Sequence, residues 1–240
     1  MKYSICITNY NSKDTLRRCL ESVLCQIDSN FEIVISDNCS TDGSLEILKE
    51  YAKSGKIKLI IERSSRGKGR QIAFENSVGT YILSGIDTDD LIKPLLKDIL
   101  RTYHEKHEGF MLSFGTFHII PRQLVIEIGG WRDLQRFEDT DFSKRIQSIG
   151  KIHYFKNSSF IIERGYVKRS IFLRLKDDYK IHQCGYIVGK NVFKDIGRKT
   201  LNPWYIRSLR FSNAIVAITI AKIKRLKRLE YNKKAKTDSS

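Results

Sequence analysis

The sequence predicts an α/β fold built on a mixed, mostly parallel sheet flanked by helices. Three observations carry this. Short apolar runs alternate with segments of helical period through roughly the first hundred residues. Strands that alternate with helices pair in parallel and are covered on both faces. Polar clusters follow the apolar runs directly, at the carboxyl ends where such sheets hold ligands. A chain of 240 residues, 41% hydrophobic and 29% charged with three prolines, is long enough to bury such a sheet.

Tyr3 to Thr8 reads as a buried strand, and Lys13 to about Gln26 as a helix with Leu16, Cys19, Leu20, Val23 and Leu24 at helical spacing. Phe31 to Ser36 is the second strand; Thr41, Asp42 and Gly43 then lead into a helix carrying Leu45, Ile47, Leu48 and Tyr51. Ile57 to Ile61 is the third strand, about Arg70 to Ser77 a short helix, and Tyr81 to Ile86 the fourth strand, with Pro94 marking the start of a further helix. Five cysteines, an odd number without a Cys-x-x-Cys pair, indicate neither a disulfide framework nor zinc and are expected to be reduced. Polar Asn9, Asn11 and Ser12 cut short the first apolar run, unlike a secretory signal, so the expected location is cytoplasmic.

The chemistry concentrates at three strand ends: Thr8, Tyr10 and Asn11; Asp37 and Asn38; and Asp87-Thr88-Asp89-Asp90. Two carboxylates one residue apart can share Mg²⁺ or Mn²⁺ with a diphosphate, since these ions bind through one or two carboxylates plus phosphate oxygens. The same run also suits a capped turn. Asp37 can accept from a base N–H or a ribose hydroxyl, or close an Asx-turn. Tyr10 can stack on a base or pack in the core.

Ser4 to Asn11, Glu32 to Ser44, and Gly79 to Asp90 resemble, in order and spacing, the inverting glycosyltransferases of family 2. That resemblance implies a GT-A fold, with donor binding in residues 1–95 and acceptor binding in 96–165. It implies that Thr8, Tyr10 and Asp37 hold base and ribose, that Asp87 contacts the nucleotide, and that Asp89 ligates the metal, with Asp87 as a second metal ligand. Asp90 is left to cap the next helix. The loop Arg66-Gly-Lys68-Gly-Arg70-Gln71 is similar to the family's glycine-containing loop; Lys68 and Arg70 offer positive charge to a nucleotide. A solvated basic loop is its alternative.

Gly129-Gly130-Trp131 followed by Glu138-Asp139-Thr140-Asp141 resembles the family's Gly-Gly-aromatic segment and Glu-Asp motif. By that resemblance Asp139 is the general base, with Glu138 in support and Trp131 and Asp141 toward the acceptor. Otherwise these carboxylates favour a helix N-terminus and Trp131 fills core. Asp89 and Asp139 stand 50 positions apart, a short spacing that implies an open acceptor side.

Half of the formal +16 charge lies in residues 201–240. There Phe211, Ile215, Ile218, Leu226 and Leu229 project to one side of a helix, and Arg207, Arg210, Lys224, Arg225 and Arg228 to another. The apolar run from Ala214 to Ala221 is too short to cross a bilayer. A basic amphipathic helix within an extension of residues 166–230 is therefore expected to lie on an anionic membrane surface, followed by a disordered tail at 231–240; a helix packed on the domain is the alternative. Expected partners are a nucleotide diphosphate sugar and a glycan or lipid-linked acceptor. A nucleic acid is disfavoured because the clustered carboxylates would repel its phosphates. The rival reading is a non-catalytic protein on the same scaffold, binding nucleotide, membrane or nucleic acid.

Overall fold

A computed structural model describes residues 2–155, 162–164, 212 and 214–220. Its elements run β1 (Tyr3–Asn9), α1 (Lys13–Leu24), β2 (Phe31–Asp37), α2 (Ser44–Lys53), β3 (Lys58–Ile61), α3 (Arg66–Glu75) and β4 (Tyr81–Ser84). Then come β5 (Asp90–Ile92), α4 (Leu96–Lys106), β6 (Met111–Phe114), β7 (Phe117–Pro121), α5 (Arg122–Glu127), α6 (Glu138–Ser148), β8 (Ile152–Tyr154) and β9 (Ile162–Arg164). The main sheet has seven strands in the order β3-β2-β1-β4-β7-β6-β8. Only β7 runs against its neighbours β4 and β6; β5 and β9 form a separate antiparallel pair. The expected α/β fold with a mostly parallel sheet is therefore the fold observed.

Alternation along β1 and β2 divides the core. Ile5, Ile7, Ile33 and Ile35 join Leu16, Leu20 and Leu48 of α1 and α2 and Tyr103 of α4 on one face. Cys6, Val34 and Ile82 meet Ala73 and Phe74 of α3 and Phe142 and Ile146 of α6 on the other. A strand buried on both faces reads as a continuous apolar run, which is how β1 reads.

Two of the boundaries that differ from expectation shape the site. The fourth strand stops at Ser84 because Gly85 takes a left-handed φ of +87°, and a Cβ there would lie 1.6 Å from the Thr116 carbonyl oxygen. Only glycine lets the chain turn here against the β6–β7 connection and carry Asp87 to the sheet edge. Helix α3 begins at Arg66, four residues earlier than expected, because the Ser65 side chain caps it by accepting from the Lys68 N–H at 3.0 Å. Lys68 and Arg70 thus stand on a helix rather than on a loop.

The expected extension 166–230 and tail 231–240 lie outside the described residues except for 212 and 214–220, which are helical. In that segment Ala214 and Ala217 are buried, while Ile215, expected on the apolar face, is about half exposed. Ile218, also expected on that face, is partly buried beside Ala214. No helix among the described residues is long and apolar enough to cross a membrane.

Candidate active site

A cleft of about 620 Å³ opens at the carboxyl ends of β1, β2 and β4. Thr8, Tyr10 and Asn11 enter it from β1 and its loop, Ser36 and Asn38 from β2, Ser64, Ser65 and Arg66 from the start of α3, and Asp87, Thr88 and Asp89 from the turn after β4. Gln135 and Arg136 close the opposite side. The three strand-end clusters seen in the sequence thus meet in one place.

The turn is held from within. Asp90 caps no helix; it opens β5, is 2% exposed, and its Oδ2 accepts the Asp87 N–H at 2.8 Å while its own N–H donates to the Asp87 carbonyl at 2.9 Å. This leaves Asp87, partly exposed, and Asp89, exposed, lining the cleft. Both are hard oxygen donors, and no group of three or more His, Cys, Asp or Glu among the described residues forms a closed metal cage. A pair of carboxylates on an open cleft suits Mg²⁺ or Mn²⁺ held jointly with phosphate oxygens.

Several expected contacts are placed elsewhere. Asp37 is fully buried, its Oδ2 accepting from Asn9 Nδ2 (2.6 Å) and Ser40 Oγ (2.7 Å) and its Oδ1 from the Ser40 N–H (2.8 Å). It holds the turn to Ser40, three residues on, and does not line the cleft. Asn38 lines the cleft instead, with Oδ1 accepting the Ser64 N–H at 2.8 Å. Strand alternation, which sends neighbours to opposite sides, was the signal that could have found it. Lys68 does not line the cleft.

Arg70 is 2% exposed. Its Nη2 lies 2.9 Å from Asp139 Oδ2 and 3.8 Å from Asp87 Oδ1, and its Nε 3.3 Å from Glu138 Oε1. Rather than facing a nucleotide, it sits beneath the site among carboxylates. A cation on the same helix that does face the cleft is Arg66, one turn earlier, whose guanidinium lies 4.0 Å from Asp87 and 3.9 Å from Glu138. The sequence reading passed it over because both arginines share the loop and only the helix separates inner from outer.

On the acceptor side Trp131 is 4% exposed and stacks on Phe142 at 4.1 Å between ring centroids, with Phe74 at 6.1 Å. It is core and presents no face to a sugar. Asp141 is fully buried, held by Arg145 Nη2 (2.9 Å) and Arg132 Nη1 (3.2 Å), and so locks α6 in place and does not touch an acceptor. Glu138 is 3% exposed and serves Arg70. Left-handed Phe137 (φ 62°) turns the chain into α6, and Asp139 follows with about a quarter of its side chain exposed.

Burial raises the Asp139 carboxyl above the usual carboxylate range; Asp87 adds to the rise, while Arg70, Arg66 and the Trp131 indole N–H oppose it. Asp139 Oδ1 and Trp131 Nε1 are both buried, and no hydrogen bond of normal geometry reaches either among the described residues. The exposed part of Asp139 is therefore on its Oδ2 side. Glu138 is likewise raised by burial and by Asp139, with Arg70 lowering it. For Arg70 burial disfavours the charge, but Asp139, Glu138 and Asp87 overcome this and hold it cationic. A partly exposed carboxylate with a raised pKa, joined through Arg70 to a cleft-lining aspartate, can take a proton during group transfer.

Residues 4–164 match the profile of Glycosyl transferase family 2. The chain belongs to that family. Among curated relatives, the poly(ribitol-phosphate) β-N-acetylglucosaminyltransferase TarS of Staphylococcus aureus is 34% identical over 118 residues, 47% of this chain and 20% of TarS. The putative glycosyltransferase EpsE of Bacillus subtilis is 26% identical over 208 residues, covering 74% of this chain and 73% of EpsE. The chain thus spans about a fifth of TarS but most of EpsE. Among solved structures, TarS 1–349 in complex with UDP-GlcNAc superposes with a TM-score of 0.61 at 17% identity, over 95% of this chain and 74% of that one. The mannosyltransferase PcManGT of Pyrobaculum calidifontis, in complex with GDP-Man and Mn²⁺, gives 0.62 at 16% identity, over 92% and 75%. At these identities the superpositions establish the GT-A fold.

Proposed function

We propose that this protein is an inverting glycosyltransferase that moves a sugar from a UDP- or GDP-linked donor to a hydroxyl of a glycan or lipid-linked acceptor. The observation that carries the reading is that Asp87 and Asp89 line one cleft while Arg70 Nη2 joins Asp87 (3.8 Å) to the raised carboxyl of Asp139 (2.9 Å). Asp87 and Asp89 would hold Mg²⁺ or Mn²⁺, which supplies charge to the departing diphosphate. Tyr10, 61% exposed, offers a ring to the base, and Arg66 a cation to the phosphates. Asp139 Oδ2 takes the proton of the acceptor hydroxyl as that oxygen bonds to the anomeric carbon. The bond from that carbon to the diphosphate breaks, and the electron pair leaves with the nucleoside diphosphate. Glu138 is buried and Asp139 keeps about a quarter of its side chain exposed, so of the two Asp139 is the one open to an acceptor hydroxyl, and a direct displacement by that hydroxyl inverts the anomeric carbon.

A polymeric acceptor is supported by the name of TarS and by the open cleft. Contact with the cytoplasmic face of a membrane rests on the basic charge of residues 201–240. The test is calorimetric titration of UDP, GDP and their sugar conjugates into wild type and Asp89→Ala, with Mn²⁺ and with chelator. Metal-dependent binding of one nucleotide, lost in Asp89→Ala, is expected; no binding by the wild type under any condition would sink the proposal.

A further inference from the structure

We infer that Arg70 is a positioning residue that holds Asp139 for proton abstraction and ties it to Asp87 from beneath the cleft, without touching the donor. The inference rests on Asp139 being the base, as proposed above. Arg66 and Arg70 stand one turn apart on the same face of α3. The outer arginine lines the cleft and the inner one does not. At 2% exposure the Arg70 guanidinium has no open path to a phosphate, and Asp139, Glu138 and Asp87 already surround it.

Its shape suits that task. A planar guanidinium donates in several fixed directions and can brace carboxylates from separate segments, where an ammonium acts as one point charge. Nη2 reaches Asp139 from α6 and Asp87 from the turn after β4, while Nε reaches Glu138. The helix that carries it is anchored to the acceptor side: the Gly67 N–H donates to the Leu134 carbonyl at 2.9 Å, and a Cβ at Gly67 would lie 2.1 Å from the Arg132 carbonyl oxygen. Arg70 therefore spans two walls from a base fixed to one of them. Asp139 Oδ2, on the exposed side, is also the oxygen bonded to Arg70, so it is the Arg70-held oxygen that is left to take a proton. When Asp139 becomes neutral on taking the proton, Glu138 and Asp87 still balance the Arg70 charge.

Arg70→Lys in the full chain tests this, with turnover read as nucleoside diphosphate released from the sugar conjugate that wild type binds, water serving as acceptor. We expect kcat to fall about 10²-fold, the scale of a roughly 1 Å misplacement, while calorimetric Kd for UDP or GDP with Mn²⁺ stays within about threefold. A raised Kd with kcat retained would make Arg70 a donor ligand and overturn the inference. If Arg70→Lys folds poorly by thermal unfolding, Glu138→Gln, which loosens Arg70 from its Nε side, takes its place with the same expected split. A crystal structure of the variant decides independently of donor binding: Asp139 displaced from its place beside Trp131 supports the inference, and Asp139 unmoved overturns it. Failure of wild type to bind any nucleotide would instead count against the proposed function.

Discussion

On the donor side of the cleft Asp87 is partly exposed and Asp89 exposed, on a turn braced by Asp90, whereas on the acceptor side Glu138 and Asp141 are buried and paired with arginine. Both stretches are short acidic runs after a glycine-containing segment, and in the sequence they look equally ready for chemistry. Burial separates them. A carboxylate withdrawn from water must be paired or neutralised, so buried Asp141 and Glu138 serve arginines, and of the three carboxylates in that run Asp139 keeps an exposed edge. Density of acidic residues therefore marks a site, while solvent decides which of them can act.

The sharpest way to break this contrast is Asp139→Asn. It should lower turnover about 10²- to 10⁴-fold, the usual worth of a general base, and leave nucleotide affinity unchanged by calorimetry. In the wild type, turnover should rise with pH through a limb set above the usual carboxylate range, because burial raises Asp139 and the protonated form cannot act as base. A limb at or below the ordinary aspartate value would remove Asp139 from that role.

Trp131→Ala asks whether the aromatic residue beside the acidic run is wall or ligand. Buried against Phe142 and Phe74, it should cost about 3–5 kcal/mol of stability in urea unfolding. A stable variant with weakened acceptor use alone would restore the sugar-stacking role.

The smallest expected effect lies beneath both walls. His118 on β7 is buried with neither ring nitrogen hydrogen-bonded among the described residues, and burial together with the Arg70 charge lowers its pKa to about 3. The unfolded chain takes up this proton near pH 6.5 and the folded one near 3, so stability falls as pH drops from 6.5 toward 3. Linkage sets the difference at about 2 kcal/mol by pH 5. His118→Leu should lose less stability than wild type between pH 7 and pH 5 by that amount in urea unfolding; parallel losses would mean the imidazole is protonated in the native state.

The sequence alone determined the alternation of strands and helices, the parallel sheet and the convergence of three polar clusters on one edge. These depend on periodicities of two and 3.6 residues and on turn chemistry, all local properties. It also placed Thr8, Tyr10, Asp87 and Asp89, because residues just beyond a strand end have little choice but to meet the cleft. Tertiary structure alone decided that Asn38 lines the cleft and Asp37 does not, that Arg66 faces solvent where Arg70 does not, and that Trp131 and Asp141 are structural. Each of those outcomes depends on which neighbour, distant in sequence, removes the side chain from water: Ser40 and Asn9 for Asp37, Glu138 and Asp139 for Arg70, Phe142 for Trp131, Arg132 and Arg145 for Asp141. Burial is a property of the packed whole, and short motifs do not record it.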